Sequence, residues 1–454
     1  MGKLIYKKLI ERVSCAFIVL FFIINQGILG YAEPAESVTV EEIIQAEKDA
    51  LYQLPVQTNT LQNWPTGPQT YAQSSIVMDM DSGAILYAKN IDERLYPASI
   101  TKLVTTLVAL ENAKLTNRVH VTEDSVSFLE SGYAQIGLRA GEEISMEEAL
   151  FATLLKSANE AAYAVGENTG EGYDWFLMQM NQWAEQVGAN NSHFTNTHGL
   201  HDDEHYTTTR DMALLGSALF EYPEAFEIMQ TAHYIIPPTN VDSEEKHMWQ
   251  NHKMLQSEHA QYYEYAIGGK TGFTNEARTT LVTFASRDNK NLVCVTMKSW
   301  AEHVYDDTRN LLEYGFQNFE KVSILEEYLP KEVESIEENA YVMLPAGIVL
   351  QDLESTVVQD LNEAHMGTLT YTYEGQEVGT AYITLDVLLE EEQIEGTAMG
   401  EDETTSKRSR TNVIWIIGII VGILILFMMR IIWVVRKKRE KRRRRRRQKR
   451  RTRR

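Results

Sequence analysis

The sequence predicts a mixed α/β (α+β) fold: one antiparallel sheet flanked by helices, then a small all-β unit and a C-terminal transmembrane helix. Three observations carry this. Strand patterns stand at both ends of residues 67–320 with helical patterns between them, the arrangement of a single sheet covered by helices. Residues 321–390 alternate in period two, as a β unit does. Beyond them, Val413 to Val435 is an apolar run of 23 residues broken only by Arg430, close to the ~20 that cross a bilayer.

Each element has its own signal. Ser75–Met80 and Ala84–Ala88 flank Asp81-Ser82-Gly83, a hairpin pattern. Pro97 and Ser99 suit a helix start, with Leu103, Leu107 and Leu110 as the buried stripe. Ser145-Met-Glu-Glu148 is a capping box that opens an apolar helix running to about Leu155. Strands return as Thr279–Ala285 and Asn291–Met297, and Thr308–Phe316 reads as a closing helix. In the second unit, Gly367–Tyr373 and Thr380–Leu385 form a hairpin about Glu374-Gly375-Gln376. Residues 33–66 are acidic, with a helix near Val40–Leu54, and read as a spacer; residues 391–412 read as a polar linker.

Charge distribution sets the topology. The 454-residue chain has a formal net charge of −21, but its ends are basic. Residues 1–32 carry net +3 and residues 430–454 net +16, which leaves the body at net −40. An acidic body excludes nucleic acid as its partner. Lys7, Lys8 and Arg12 precede the apolar run Ala16–Ile24 and then Gly30-Tyr31-Ala32, so residues 1–32 read as a secretory signal peptide. The tail at 436–454, directly behind the membrane span, reads as a cytoplasmic stop-transfer anchor against anionic lipid. The body is expected outside a bacterial cell membrane, held by one span. Of two cysteines, Cys15 falls in the signal peptide, so Cys294 stands alone as a buried structural thiol.

Three motifs carry chemistry. In Ser99-Ile-Thr-Lys102 the three-residue spacing sets the amine one helical turn above the hydroxyl, where crowding and the helix dipole lower the lysine pKa and make it a base for the serine. Alone this is weak: Ser243-Glu-Glu-Lys246 has the same spacing and no such context. Ser157-Ala-Asn159 breaks two helices and can present a hydroxyl and an amide to a cleft. Lys270-Thr271-Gly272, before Phe273-Thr274, offers a cation and hydroxyls to a substrate carboxylate at a strand edge, and its glycine admits a substrate backbone. His201-Asp-Asp-Glu-His205 matches a metalloprotease string, but no apolar helical stripe supports it, so no metal is assigned.

In that order the three motifs resemble the signature of penicillin-binding proteins and serine β-lactamases. With Tyr96–Lys102, Phe194–Leu200, His205–Ala213 and Lys270–Thr274, the chain is similar over about residues 70–320 to low-molecular-mass D-alanyl-D-alanine carboxypeptidases, peptidase S11-like. The β unit resembles that family's C-terminal domain. The resemblance implies a penicillin-binding-protein fold and an acyl-enzyme. Ser99 would be the nucleophile, Lys102 its base and Ser157 a proton relay. Asn159 would hold the acyl part, Lys270, Thr271 and Thr274 the free carboxylate, and the N–H groups of Ser99 and Phe273 the oxyanion. It implies peptidoglycan stem peptide as substrate, β-lactams as inhibitors and no cofactor.

The sequence departs from the family at an arginine expected before the closing helix, where His303-Val-Tyr-Asp-Asp-Thr308 stands; Tyr305 lies near that place, and Arg278 and Arg309 are the substitutes on offer. A β-lactamase shares the motifs, but none of Glu160, Glu167, Glu171 and Glu185 has Asn three residues on, as the deacylating glutamate of class A requires. A transpeptidase differs only in the acceptor, and a penicillin-binding receptor or wall scaffold only in turnover.

Overall fold

The structure, a computed structural model, describes residues 39–386 apart from 361, 362 and 364. The expected signal peptide, the linker, the membrane span and the basic tail lie outside the described residues. Among the described residues no helix is long and apolar enough to cross a membrane. They divide into two compact units: up to Leu329 with Glu337–Val357 and Thr368–Tyr382, and Pro330–Ile336 with Val358–Gly367 and the residues from Ile383 on.

The larger unit is built on a five-stranded antiparallel sheet. Its strands are β1 (Ser74–Asp79), β2 (Ile85–Lys89), β3 (Ala266–Thr274), β4 (Arg278–Arg287) and β5 (Lys290–Ser299), in the order β2-β1-β5-β4-β3. Strands remote in sequence meet where Val77 pairs with Cys294, and this pairing closes one sheet. Alternation along β1 divides its residues between two helical layers. Ile76 and Met78 join the main core with Val293, Val295 and Phe284. Against them pack α2 (Thr101–Asn112), α3 (Met146–Leu155) and α4 (Asn159–Glu167), through Leu103, Leu107, Leu150 and Val165. Ser145 and Glu148 form the expected capping box of α3. On the opposite face lies α5 (Val304–Asn318), where a Cβ on Gly315 would sit 2.8 Å from Leu292 and 3.2 Å from Val77, so glycine lets the helix approach. Cys294 between these layers is fully buried, and burial pushes its thiol pKa up.

Two boundaries differ from expectation. The acidic stretch is not all spacer. After α1 (Val40–Tyr52), Val56 and Trp64 are buried, and the Trp64 indole donates to Leu86 O at 3.2 Å. Its ring lies 5.1 Å from Phe319 and 6.3 Å from Tyr373. Nor is residue 321 a clean border: Phe319–Ser323 pairs antiparallel with Tyr341–Pro345 inside the larger unit. The predicted hairpin is present as Met366–Tyr373 and Gln376–Leu385, turning on Glu374 and Gly375, both at positive φ. In the smaller unit Val333 pairs with Leu385, and the hydroxyls of Ser335 and Thr384 are 2.6 Å apart.

Candidate active site

Backbone chemistry sets the position of Ser99. Pro97 leads into a single 3-10 turn, Ala98–Ile100, before α2 begins. Ala98 has φ +52°, a left-handed conformation that costs an alanine ~1 kcal/mol or more and needs support. The support is local. The Thr101 hydroxyl donates to Ala98 O at 2.8 Å. Thr280 Oγ1 donates to Pro97 O at 2.8 Å. Gly199, at φ +81°, lies so close that a Cβ there would fall 1.9 Å from Ala98 O.

His205 completes that support. Thr195 N–H donates to its Nδ1 at 3.0 Å, so the proton sits on Nε2, 2.8 Å from Thr101 Oγ1. Burial pulls its pKa down to about 3, which keeps the ring neutral. Residues 201–205 of its string make a turn and no helix.

Lys102 is fully buried in the first turn of α2. Its Nζ lies 3.0 Å from Ser99 Oγ, 2.8 Å from Asn159 Oδ1 and 2.5 Å from His198 O. Burial drives its pKa well below the ordinary lysine value, the nearby Lys270 charge lowers it further, and Glu160 opposes both. A neutral amine can accept the Ser99 proton while the amide and carbonyl fix its direction.

The break between α3 and α4 places the second motif. Ser157 has φ +57°, and its buried Oγ has no hydrogen-bond partner. An unpaired buried hydroxyl at a strained residue is a group held ready for a ligand or a proton. Asn159 opens α4, its N–H donating to Ala134 O at 2.9 Å. One position on, the buried Glu160 accepts the N–H groups of Ile136 at 2.7 Å and Gly137 at 3.1 Å. It ties down the 133–138 segment, a role the sequence does not show.

Strand β3 supplies the third motif at the sheet's outer edge. A Cβ on Gly272 would lie 2.8 Å from Ser99 N, so this strand passes directly beside Ser99. Lys270 is buried and donates to Thr271 O at 2.9 Å, and burial pulls its pKa down to about 7. Phe273 is 64% exposed, and Thr274 Oγ1 accepts from Ala277 N at 3.0 Å in the turn that follows.

Ser99, Lys102 and Asn159 are thus joined directly, with Ser157 beside them in sequence and β3 against the Ser99 backbone. The other Ser-x-x-Lys pair is not a site: Lys246 is buried in ion pairs with Asp242 at 2.8 Å and Glu142 at 3.4 Å. Neither substitute arginine is spare. Arg278 reaches Glu47 at 3.5 Å and lies over Trp300, while Arg309 donates to Tyr262 O at 2.7 Å. Tyr305 packs edge-on against His252. Sequence reasoning also missed the His198 carbonyl and Gly199; the turn-forming run Asn196-Thr-His-Gly199 was their only local signal.

Comparison with known proteins follows this geometry. The family model described as D-alanyl-D-alanine carboxypeptidase (Peptidase_S11) matches residues 61–300. D-alanyl-D-alanine carboxypeptidase DacF of Bacillus subtilis (strain 168) is 28% identical over 257 residues, 55% of this chain and 63% of that protein. DacA of Haemophilus influenzae is 30% identical over 290 residues, 61% of this chain and 70% of the relative. The chain therefore spans about two thirds of the length of these relatives. Among solved structures, the Streptomyces K15 DD-transpeptidase aligns with TM-score 0.51 at 27% identity, covering 56% of this chain and 99% of that one. The D-alanyl-D-alanine carboxypeptidase of Mycobacterium tuberculosis H37Rv aligns with TM-score 0.51 at 29% identity, covering 58% and 96%.

Proposed function

The chain belongs to the D-alanyl-D-alanine carboxypeptidase family, peptidase S11, and from that premise we propose that it removes the terminal D-alanine from peptidoglycan stem pentapeptides by serine acyl transfer. The observation that carries the reading is the buried Lys102 amine 3.0 Å from Ser99 Oγ. Ser99 attacks the carbonyl between the two D-alanines while Lys102 takes its proton. The C–N bond breaks, and the Ser157 hydroxyl passes a proton to the departing amine. Water then attacks the ester, gives a proton back through Lys102 and frees Ser99. Asn159 holds the acyl part, and Lys270, Thr271 and Thr274 hold the free carboxylate. The N–H groups of Ser99 and Phe273, on adjoining segments, form the oxyanion hole, where each donor is worth ~3 kcal/mol. β-Lactams enter as acylating inhibitors, no cofactor takes part, and the catalytic unit faces outward from a bacterial membrane.

Two observations weigh the alternatives. Glu160 is fully buried and its Oε1 binds the backbone of Ile136 and Gly137, which favours a structural role over that of a β-lactamase's water-activating base. A solved neighbour is a DD-transpeptidase, which keeps an amine acceptor as the second reading. The test is D-alanine release from a peptide ending in D-Ala–D-Ala, with fluorescent penicillin labelling alongside. Both are expected in the native protein and in neither case with Ser99→Ala. Labelling without release would turn the reading to a transpeptidase or receptor, and rapid penicillin hydrolysis to a β-lactamase.

A further inference from the structure

A second concavity lies next to the reacting serine. It has a volume of about 330 Å³, and its wall includes Tyr96, three residues before Ser99, and Glu276 and Ala277, just past Thr274. Three residues of extended chain span at most ~11 Å, so the cavity adjoins the site on both segments.

Its wall carries a backbone irregularity. Thr279 pairs with Ser299 but Leu281 pairs with Thr296, so β5 has one extra residue opposite Thr280. Lys298 falls in this bulge with φ +53°, a left-handed lysine. Bulges re-aim side chains, and a strained non-glycine residue persists only where its surroundings hold it. Lys298 lines the cavity, and among the described residues its ammonium has neither hydrogen bond nor ion pair. Glu276 on the opposite segment is likewise unpaired, and Glu93 and Asp203 line the same space. Arg94 is already turned to Asn191, at 3.1 Å, and to the Tyr206 ring. The cavity thus holds an uncommitted cation and an uncommitted carboxylate within one small volume.

The direction of the substrate brings it here. With the free carboxylate at Lys270 and the reacting carbonyl at Phe273, a peptide lying on β3 runs antiparallel to that strand. The residues before D-Ala–D-Ala therefore pass Thr274 and reach the Asn275–Ala277 turn. We propose that this cavity is the subsite for the residue preceding D-Ala–D-Ala, and that it takes a zwitterionic amino-acid head group at the end of that side chain. Lys298 binds the side chain's carboxylate and Glu276 its ammonium. This rests on the D-Ala–D-Ala reading above and adds a selectivity to it.

The test compares kcat/KM for D-alanine release by the full-length protein from three pentapeptides. Their third residue is meso-diaminopimelate, its side-chain amide, or L-lysine, which all keep the side-chain ammonium and carry the neighbouring carboxylate charged, neutralised or not at all. The diaminopimelate peptide is expected to exceed the amidated one by about tenfold, a difference of ~1.4 kcal/mol. In Lys298→Asn, which tolerates left-handed backbone, that ratio falls to about one, and in Lys298→Arg it returns. Penicillin labelling of both variants verifies an intact site. Equal rates for the two peptides in the native protein, or an unchanged ratio in Lys298→Asn, would overturn the subsite while leaving the activity standing. Absence of release from all three would overturn both.

Discussion

Lys102 and Lys270 owe their chemistry to burial, and burial has a sign that can be read in solution. A lysine whose pKa is lower folded than unfolded binds fewer protons in the native state. Stability then rises with pH between the two values. For Lys270 that window runs from about 7 to the ordinary lysine value of 10.5. Lys89, lowered to about 8, acts in the same sense. Thermal melts should therefore show stability increasing from pH 7 toward pH 9, above which the raised thiol pKa of buried Cys294 acts in the opposite sense, with Lys270→Met reducing the slope. A flat or falling profile would contradict the burial argument. In the proposed roles the same groups shape activity: acylation should fall at low pH as Lys102 gains a proton, and substrate capture should fall above pH 7 as free Lys270 loses its charge. Lys102→Arg puts a permanently charged guanidinium where a neutral amine is needed and cannot serve as a base, so acylation should drop by roughly 10²–10⁴-fold in a penicillin-labelling time course.

At the scale of elements, the site is three short segments forced together by backbone contacts. Gly199→Ala adds a methyl 1.9 Å from Ala98 O at positive φ, a clash no side-chain motion relieves. It should abolish labelling and lower Tm by several degrees, whereas Gly188→Ala, with open space around it, should do neither beyond its own backbone strain. Glu160→Ala leaves the Ile136 and Gly137 N–H groups without their acceptor and should destabilise the unit by about 1–3 kcal/mol in denaturant melts. These contacts also mark where sequence reading stops. Ser99, Lys102, Ser157, Asn159 and Lys270 were legible because their chemistry resides in side-chain type and spacing. The His198 carbonyl, the left-handed Ala98 and the close approach of Gly199 were not, since backbone groups have no residue signature and their partners lie about a hundred residues away. The strands and capping box were legible because their periodicity and caps are local.

For the whole molecule, the larger unit starts before the first motif-bearing segment. Trp64 fills the space between Leu86, Phe319 and Tyr373 from a stretch whose acidity suggested a tether. Composition averaged over 33–66 hides one buried indole, which is why the border was misplaced. Trp64→Ala should lower unfolding free energy by about 3–5 kcal/mol, measured by denaturant titration. A chain begun at residue 67 should be correspondingly less stable than one begun at residue 39; equal stability would restore the spacer view. The outer position of β3 has a further consequence, for colloidal behaviour. An edge strand with an exposed phenylalanine is a template on which a second chain can pair, and most proteins blunt such an edge. In the proposed reaction this edge receives a peptide and cannot be blunted, so solubility and catalysis would draw on the same row of backbone groups. A covalently held β-lactam would occupy that row, and the acylated protein should then resist aggregation on heating better than the free one.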